Sequence, residues 1–310
     1  MKQQKKPNFF IVGFPKCGTT TLYHCLKQHP EIFMSPVKEP DYFCTDLHRE
    51  SDAFHKKQAH FFIREKKDYL RLFSKAKKEK IIGEASTTYS YSKEAPKNIF
   101  RFNSKAKILF LIREPVSFMQ SMHFQQIYNK EEHEKDFSKA LSSQEEKLKK
   151  TNCSPSYPTK IFYSYLACFN KHIENYQEIF PSKQIKIITL DELKQDPKKT
   201  FGNIFEFLEV DEKFNPVISI ENSSKTVKST FIHTMMRAPS SKRVAKAIIP
   251  TIVCYKIYDM LTFLNSTPKK KPSLPVLKKT KLKRQFLPEV KELEKTTGKN
   301  LLKLWKYNEI

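Results

Sequence analysis

Asn8 to Phe14 (NFFIVGF) is an unbroken apolar run, and Ala106 to Ile112 (AKILFLI) is another. A run with no polar alternation belongs to a strand covered on both faces, as in a parallel sheet. Lys80 to Ala85 (KIIGEA) and Ile185 to Leu190 (IKIITL) predict two further strands, and Ile32 to Met34 is a shorter candidate. Helical spacing lies between them. Thr19 to Gln28 places Leu22 and Leu26 on one face, with threonine suited to the start. Arg113-Glu114-Pro115 leads into a helix with proline in its first turn. Leu166, Phe169, Ile173, Tyr176 and Phe180 recur at steps of 3, 4, 3 and 4, an apolar stripe. Asp196 and Pro197 read as N-cap and first residue of a helix to Leu208, its buried face made by Phe201, Ile204, Phe205 and Leu208. Strands alternating with helices predict an α/β chain with a doubly wound parallel sheet flanked by helices.

The remaining stretches are less regular. Lys130 to Lys160 and Pro268 to Lys283 are lysine-rich and polar, and read as surface segments or loops. Phe286 to Tyr307 is helical in pattern, interrupted by Gly298, with Leu301, Leu304 and Trp305 docking back on the core. No internal repeat is present. One domain is expected over 1–310: a core from about 8 to 214, a variable substrate-side segment over 215–280, and a C-terminal helical region over 281–310.

Composition narrows the partners. The 310 residues hold 57 Lys and Arg against 33 Asp and Glu, a net charge of +24, so the partner or substrate is expected to be anionic. Apolar residues at 39% and 25 phenylalanines support a packed core, against disorder. Six cysteines, at 17, 25, 44, 153, 168 and 254, show no CxxC pair or zinc spacing and read as reduced thiols. The N-terminal run is too short for a signal peptide and lacks a small-residue cleavage site. Val244 to Leu264 is apolar but carries Lys246, Pro250, Lys256 and Asp259, short of the roughly 18 uncharged residues that span a bilayer. Peripheral contact with a membrane stays open there; spanning does not.

The chemistry concentrates after the first strand. Gly13 to Thr20 (GFPKCGTT) follows the phosphate-loop pattern GxxxxGK[ST], except that Thr19 stands in the lysine position. N–H groups at a helix start still cradle an anion, so phosphate binding survives. The lysine that reaches the outer phosphates of ATP is missing there. Lys16, inside the loop, moves the positive charge toward the bridge between a terminal phosphate and the group it carries. A sulfuryl group, less negative than a phosphoryl, could be transferred without Mg²⁺, and no apolar strand ending in a metal-holding aspartate is evident. Cys17 followed by arginine at the sixth position would suggest a phosphatase, but Tyr23 stands there.

These residues carry a likeness. The stretch FFIVGFPKCGTTTLYHCLKQHPEIFMSPVKEPDYF resembles the PAPS-dependent sulfotransferases, above all the branch of bacterial sulfotransferase-domain proteins and heparan sulfate sulfotransferases. PAPS is 3′-phosphoadenosine 5′-phosphosulfate. The resemblance implies a P-loop-type fold in which Pro15, Lys16, Cys17, Gly18, Thr19 and Thr20 bind the 5′-phosphosulfate. Lys16 would steady the bridging oxygen. In the same family an arginine at a strand end and a serine eight residues on hold the 3′-phosphate, and Arg113 and Ser121 in IREPVSFMQS have that spacing. A forked, permanently charged donor and a short hydroxyl suit a phosphate dianion. The helix-strand-helix from Phe169 to Val210 and the end of the chain from Leu282 to Trp305 extend the likeness over most of the sequence, leaving about 215–275 poorly anchored.

By the same resemblance Glu39, in KEPDYF, falls at the base glutamate of the heparan sulfate branch, with Lys38 beside it able to steady the sulfuryl oxygens. His55 and His60 are weaker candidates for the base. Two departures stand out: Ala85, in GEAST, occupies a lysine position of the heparan enzymes, and Phe118 replaces an arginine often found between Arg113 and Ser121. The glycine-bearing 3′-phosphate loop of the cytosolic small-molecule enzymes is not recognisable; Asn222 to Lys225 could substitute. The expectation is a sulfotransferase of the EC 2.8.2 class, with no metal, that moves a sulfuryl group from PAPS to a hydroxyl or amino group of a carbohydrate or glycolipid. Because the chain begins almost at its first strand, a cytoplasmic enzyme is expected. Two rivals remain: a P-loop nucleotide kinase, and a basic protein that binds nucleic acid or another anionic surface. Lysine far outnumbers arginine and no aromatic-basic interleaving is present, so nucleic acid is not the expected partner.

Overall fold

Five short, largely apolar runs assemble into one parallel sheet. The computed structural model describes residues 5–144, 146, 155–218, 225–229, 253, 257, 260–262, 264–268 and 274–310. The strands are β1 (Phe9–Ile11), β2 (Ile32–Met34), β3 (Ile81–Ala85), β4 (Lys107–Ile112) and β5 (Ile185–Thr189). Their order is β2-β3-β1-β4-β5, and every pairing is parallel. β1 is central, between β3 and β4, which explains its uninterrupted apolar sequence: all three of its residues are fully buried.

The predicted helices are present: α1 (Thr19–Leu26), α5 (Pro115–Asn129), α8 (Phe169–Gln177) and α10 (Pro197–Leu208). Asp196 caps α10 through its side chain, which accepts from Lys199 N–H, with Pro197 in the first turn. The start of α1 is different from expectation. Its N-cap is Gly18 at φ 97°, and no side chain caps it, so Thr19 is simply its first residue. A glycine N-cap offers no side chain to the first N–H groups of the helix, where an anion can be held.

Other helices fall where no element was expected: α2 (Thr45–His55), α3 (Lys66–Arg71), α4 (Ala95–Phe102) and α6 (Phe137–Ser142), with two further short helices, α7 (Tyr163–Leu166) and α9 (Leu190–Gln195), beside predicted elements. The polar stretch after Lys130 is thus structured in part, and Glu131 and Glu132 are buried in it. The stretch before Lys283 is corrected likewise. A helix of 22 residues, α11 (Val276–Thr297), begins within it and continues past 281. Lys283 is only 8% exposed because its ammonium donates to the carbonyls of Trp305 and Lys306 (2.6 and 3.0 Å). Gly298 ends α11 in the left-handed conformation, at φ 65°, and α12 (Leu301–Leu304) follows. Leu301 and Trp305 dock on the core as expected, with Leu304 half-buried.

Within 215–280 a short antiparallel pair, β6 (Lys225–Val227) with β7 (Ser266–Pro268), is described. Most of the apolar stretch 244–264 and of the candidate loop 222–225 lies outside the described residues, as do Cys153 and Cys254. Cys17, Cys25, Cys44 and Cys168 are free thiols. No helix among the described residues is long and apolar enough to cross a membrane.

Candidate functional site

Parallel strands deliver their C-terminal ends to one edge of the sheet, where open α/β proteins bind ligands. Here β1 leads into the Gly13–Gly18 loop, β2 into KEPDYF, β3 into Ser86-Thr87, and β4 into Arg113. The segments touch. Ser86 N–H donates to Ile11 O at 3.1 Å, Gly13 N–H to Leu109 O at 3.2 Å, and Phe14 N–H to Leu111 O at 3.2 Å.

In the loop, Lys16 adopts φ 63° and its ammonium donates to Gln125 Oε1 on α5 at 2.9 Å. The Arg113 guanidinium donates to the carbonyl of Lys16 at 3.3 Å. The Arg113 side chain from one strand end therefore meets the main chain of the loop that follows another, just before α1. Pro15, Lys16, Gly18 and Thr20 are half-buried, while Thr19 is buried. The Cys17 side chain faces the core with no exposure. Burial pushes its thiol up to about 12, against the opposing pull of the Arg113 and Lys16 charges. Only the main chain of Cys17 is therefore placed to contact an anion.

Ser121 lies on α5 two turns beyond Arg113 and is 1% exposed. Phe118, at the arginine position of the resembling family, is wholly buried against Phe169, ring centroids 4.9 Å apart. The α5 N-cap is Glu114, whose carboxylate accepts from Val116 and Ser117 N–H and from the Tyr307 hydroxyl at 2.8 Å. Trp305 Nε1 donates to Asp191 at the start of α9 at 2.9 Å. The chain end thus buttresses the Arg113 helix, a link that no local pattern in the sequence could reveal.

In the loop after β2, Glu39 sits at φ 60° with its side chain 43% exposed. Its Oε1 accepts from Lys38 Nζ at 2.6 Å and from Thr87 Oγ1 at 3.3 Å. Desolvation pushes the carboxyl up, but the Lys38 ammonium, the Lys160 charge and the Thr87 hydroxyl together outweigh it and hold Glu39 below the ordinary glutamate range. It is ionised at neutral pH and able to accept a proton. Asp41, at φ 53°, completes a turn with two non-glycine residues in the left-handed region around Pro40. Such a turn stores about 1–3 kcal/mol per residue. From α5, Gln125 receives Lys16, while Gln126 Nε2 donates to the carbonyl of Lys160 at 2.5 Å.

The histidine candidates are placed elsewhere. The His55 ring pairs with the Pro155 carbonyl at 3.0 Å and lies tilted against the His60 ring, centroids 4.9 Å apart. Among the described residues no three or more His, Cys, Asp or Glu side chains gather as a metal site. A cavity of about 280 Å³ opens beside β5, bordered by Gln177, Lys186 and Lys299, and includes none of these groups.

The residue that sequence reasoning passed over is Glu84. The GEAST motif drew notice for Ala85, yet Glu84 is fully buried in β3 and accepts hydrogen bonds from Tyr69 Oη (2.7 Å), Tyr89 Oη (2.9 Å) and Ser86 Oγ (2.6 Å). Burial raises its carboxyl to about 7, with the three hydroxyls pulling the other way. The folded chain then binds more protons than the unfolded chain between about pH 4.5 and 7. The stability this group contributes is complete at the acidic end of that window and is lost as pH rises through 7, about 3 kcal/mol in all. Denaturant unfolding from pH 5 to 7 should show a downward slope that Glu84→Gln flattens; an identical slope in the variant would contradict the assignment.

A five-stranded parallel sheet flanked by helices places the chain in the α/β class. Within that class the chain belongs to the sulfotransferase family, whose sulfotransferase domain matches residues 6–248. It is a transferase of the EC 2.8.2 kind. The heparan sulfate glucosamine 3-O-sulfotransferase 5 of Mus musculus is 24% identical over 254 residues, covering 81% of this chain and 68% of that protein. The bifunctional heparan sulfate N-deacetylase/N-sulfotransferase 3 of Homo sapiens is 26% identical over 214 residues, 67% of this chain but only 23% of its own length. Among solved structures, a sulfotransferase from Alicyclobacillus acidocaldarius superposes with a TM-score of 0.68 at 23% identity, covering 97% of this chain and 99% of that one. This last likeness shows that the fold is shared.

Proposed function

We propose that the protein transfers the sulfuryl group of PAPS to a hydroxyl group of a carbohydrate. The observation that carries this reading is the meeting of Arg113 with the Lys16 loop, which places two cations and the uncapped start of α1 at one sheet edge. A carrier with phosphates at both ends of one adenosine fits that set. The loop would hold the 5′-phosphosulfate, and Arg113 with Ser121 the 3′-phosphate. The matched relatives bear names of enzymes acting on heparan sulfate and other carbohydrates, which supports a glycan acceptor.

In this reading the acceptor oxygen bonds to sulfur while the bridging S–O bond breaks in line with it. The electron pair leaves on the nucleotide phosphate, where Lys16 steadies the charge, and the acceptor proton passes to the Glu39 carboxylate. Lys38, 2.6 Å from Glu39, would steady the sulfuryl oxygens.

Lys16→Ala and Arg113→Ala should each weaken binding of adenosine 3′,5′-bisphosphate by about tenfold to hundredfold, from the roughly 1.5–3 kcal/mol of a charge-assisted bond. Calorimetry with that nucleotide is the check; unchanged affinity in both variants would remove the donor assignment. Labelled PAPS offered with de-O-sulfated heparin tests the acceptor, and label recovered in the glycan is the expected result. Magnesium-dependent phosphate transfer from ATP would instead favour the kinase reading.

A further inference from the structure

The KEPDYF turn holds two residues in left-handed backbone, and little of its own sequence keeps it there. Its N–H groups show what does. Glu39 N–H donates to Ala85 O at 2.8 Å, Asp41 N–H to Ser86 Oγ at 3.2 Å, and Tyr42 and Phe43 N–H to Tyr89 Oη at 2.9 and 3.3 Å. Each accepting hydroxyl, in turn, donates to the same carboxylate, Ser86 to Glu84 Oε2 at 2.6 Å and Tyr89 to Glu84 Oε1 at 2.9 Å. Three consecutive loop N–H groups, those of residues 41, 42 and 43, therefore report through two hydroxyls to one buried acid.

The direction of these bonds matters. A hydroxyl has one proton and two lone pairs. While Glu84 takes the proton, the lone pairs of Ser86 and Tyr89 stay aimed at the loop. We infer that Glu84, acting through Ser86 and Tyr89, is a positioning residue that locks the strained turn and so fixes where the Glu39 carboxylate meets the acceptor. Glu84 itself is fully buried and closed off from solvent. The inference rests on Glu39 being the base, and the test separates the two.

Ser86→Ala removes the acceptor of Asp41 N–H, and Tyr89→Phe removes that of Tyr42 and Phe43. Both keep the size of the buried group, and they stand in for Glu84→Gln should that variant fail to fold. Each should lower kcat for sulfuryl transfer from PAPS to de-O-sulfated heparin by about tenfold to hundredfold, the cost of misplacing a reacting group by about an ångström. Binding of adenosine 3′,5′-bisphosphate should hold within about twofold, since the donor loop lies on a different strand. The same two substitutions in a Glu39→Gln background should change kcat by less than about twofold, because the group they position is already gone. Amide exchange at residues 41–43 should quicken in both variants, whatever the acceptor. Equal losses in both backgrounds, or exchange at 41–43 unchanged, would overturn the inference while leaving Glu39 as base. Full activity of Glu39→Gln by itself would remove the base and the inference together.

Discussion

Glu39→Gln should bind adenosine 3′,5′-bisphosphate as tightly as the parent protein and lose turnover by about 10² to 10⁴, the range of a general base. The amide keeps the shape and the Thr87 contact but cannot take the acceptor proton. Because Lys38, Lys160 and Thr87 hold the carboxylate below its ordinary range, the base stays ionised well into acid, and the acidic limb of the kcat profile should lie below that of an unperturbed glutamate. Lys38→Met would move that limb upward, since the largest opposing charge is removed. Glu39→Gln at full turnover on a working acceptor would dismiss the base assignment.

Gly13→Ala should yield no cooperatively folded protein. A Cβ at Gly13 would lie 2.1 Å from Leu111 N and 2.9 Å from the carbonyl carbon of Phe110, contacts that no side-chain rotation relieves. The backbone of β1 or β4 would have to part just where Val12, Gly13 and Phe14 donate to Leu109 and Leu111. A loss beyond about 4–5 kcal/mol is the expected scale for a core clash of this kind. Gly202 in α10 is the control, with nothing within 4 Å of an added Cβ. Gly202→Ala should leave stability unchanged or raise it by about 0.5–1 kcal/mol, through helix propensity. Thermal melts of the two variants decide the matter; a folded Gly13→Ala protein would mean that the two strands are not packed this closely.

β1 and β4 were legible because a strand buried on both faces has few polar residues to blur it, and NFFIVGF, AKILFLI, KIIGEA and IKIITL each supplied one strand of the sheet. Helices with a mixed buried face were harder. α2 buries Leu47, His48 and Ser51, so only one of three inward positions looks apolar. α11 disguises its inner face with Lys283, whose stem is buried while its charge finds carbonyls. Of the candidate site, residues in consecutive motifs such as Pro15 to Thr20 and Lys38-Glu39 could be read directly. Glu84 could not, because its role depends on Tyr69, Tyr89 and Ser86 arriving around it from a helix and a turn. Tyr307 on Glu114 spans 193 positions and leaves no trace in any local pattern.

The position of β1 in the sheet bears on how a growing chain takes shape. Its partners, β3 and β4, begin at residues 81 and 107, so β1 leaves the ribosome with no neighbour until about seventy more residues have been made, and lacks the second until about a hundred. Contacts so distant along the chain are slow to form and leave apolar segments uncovered meanwhile. Lys16 and its loop acquire their shape only after Leu111 and Arg113 have emerged to meet them.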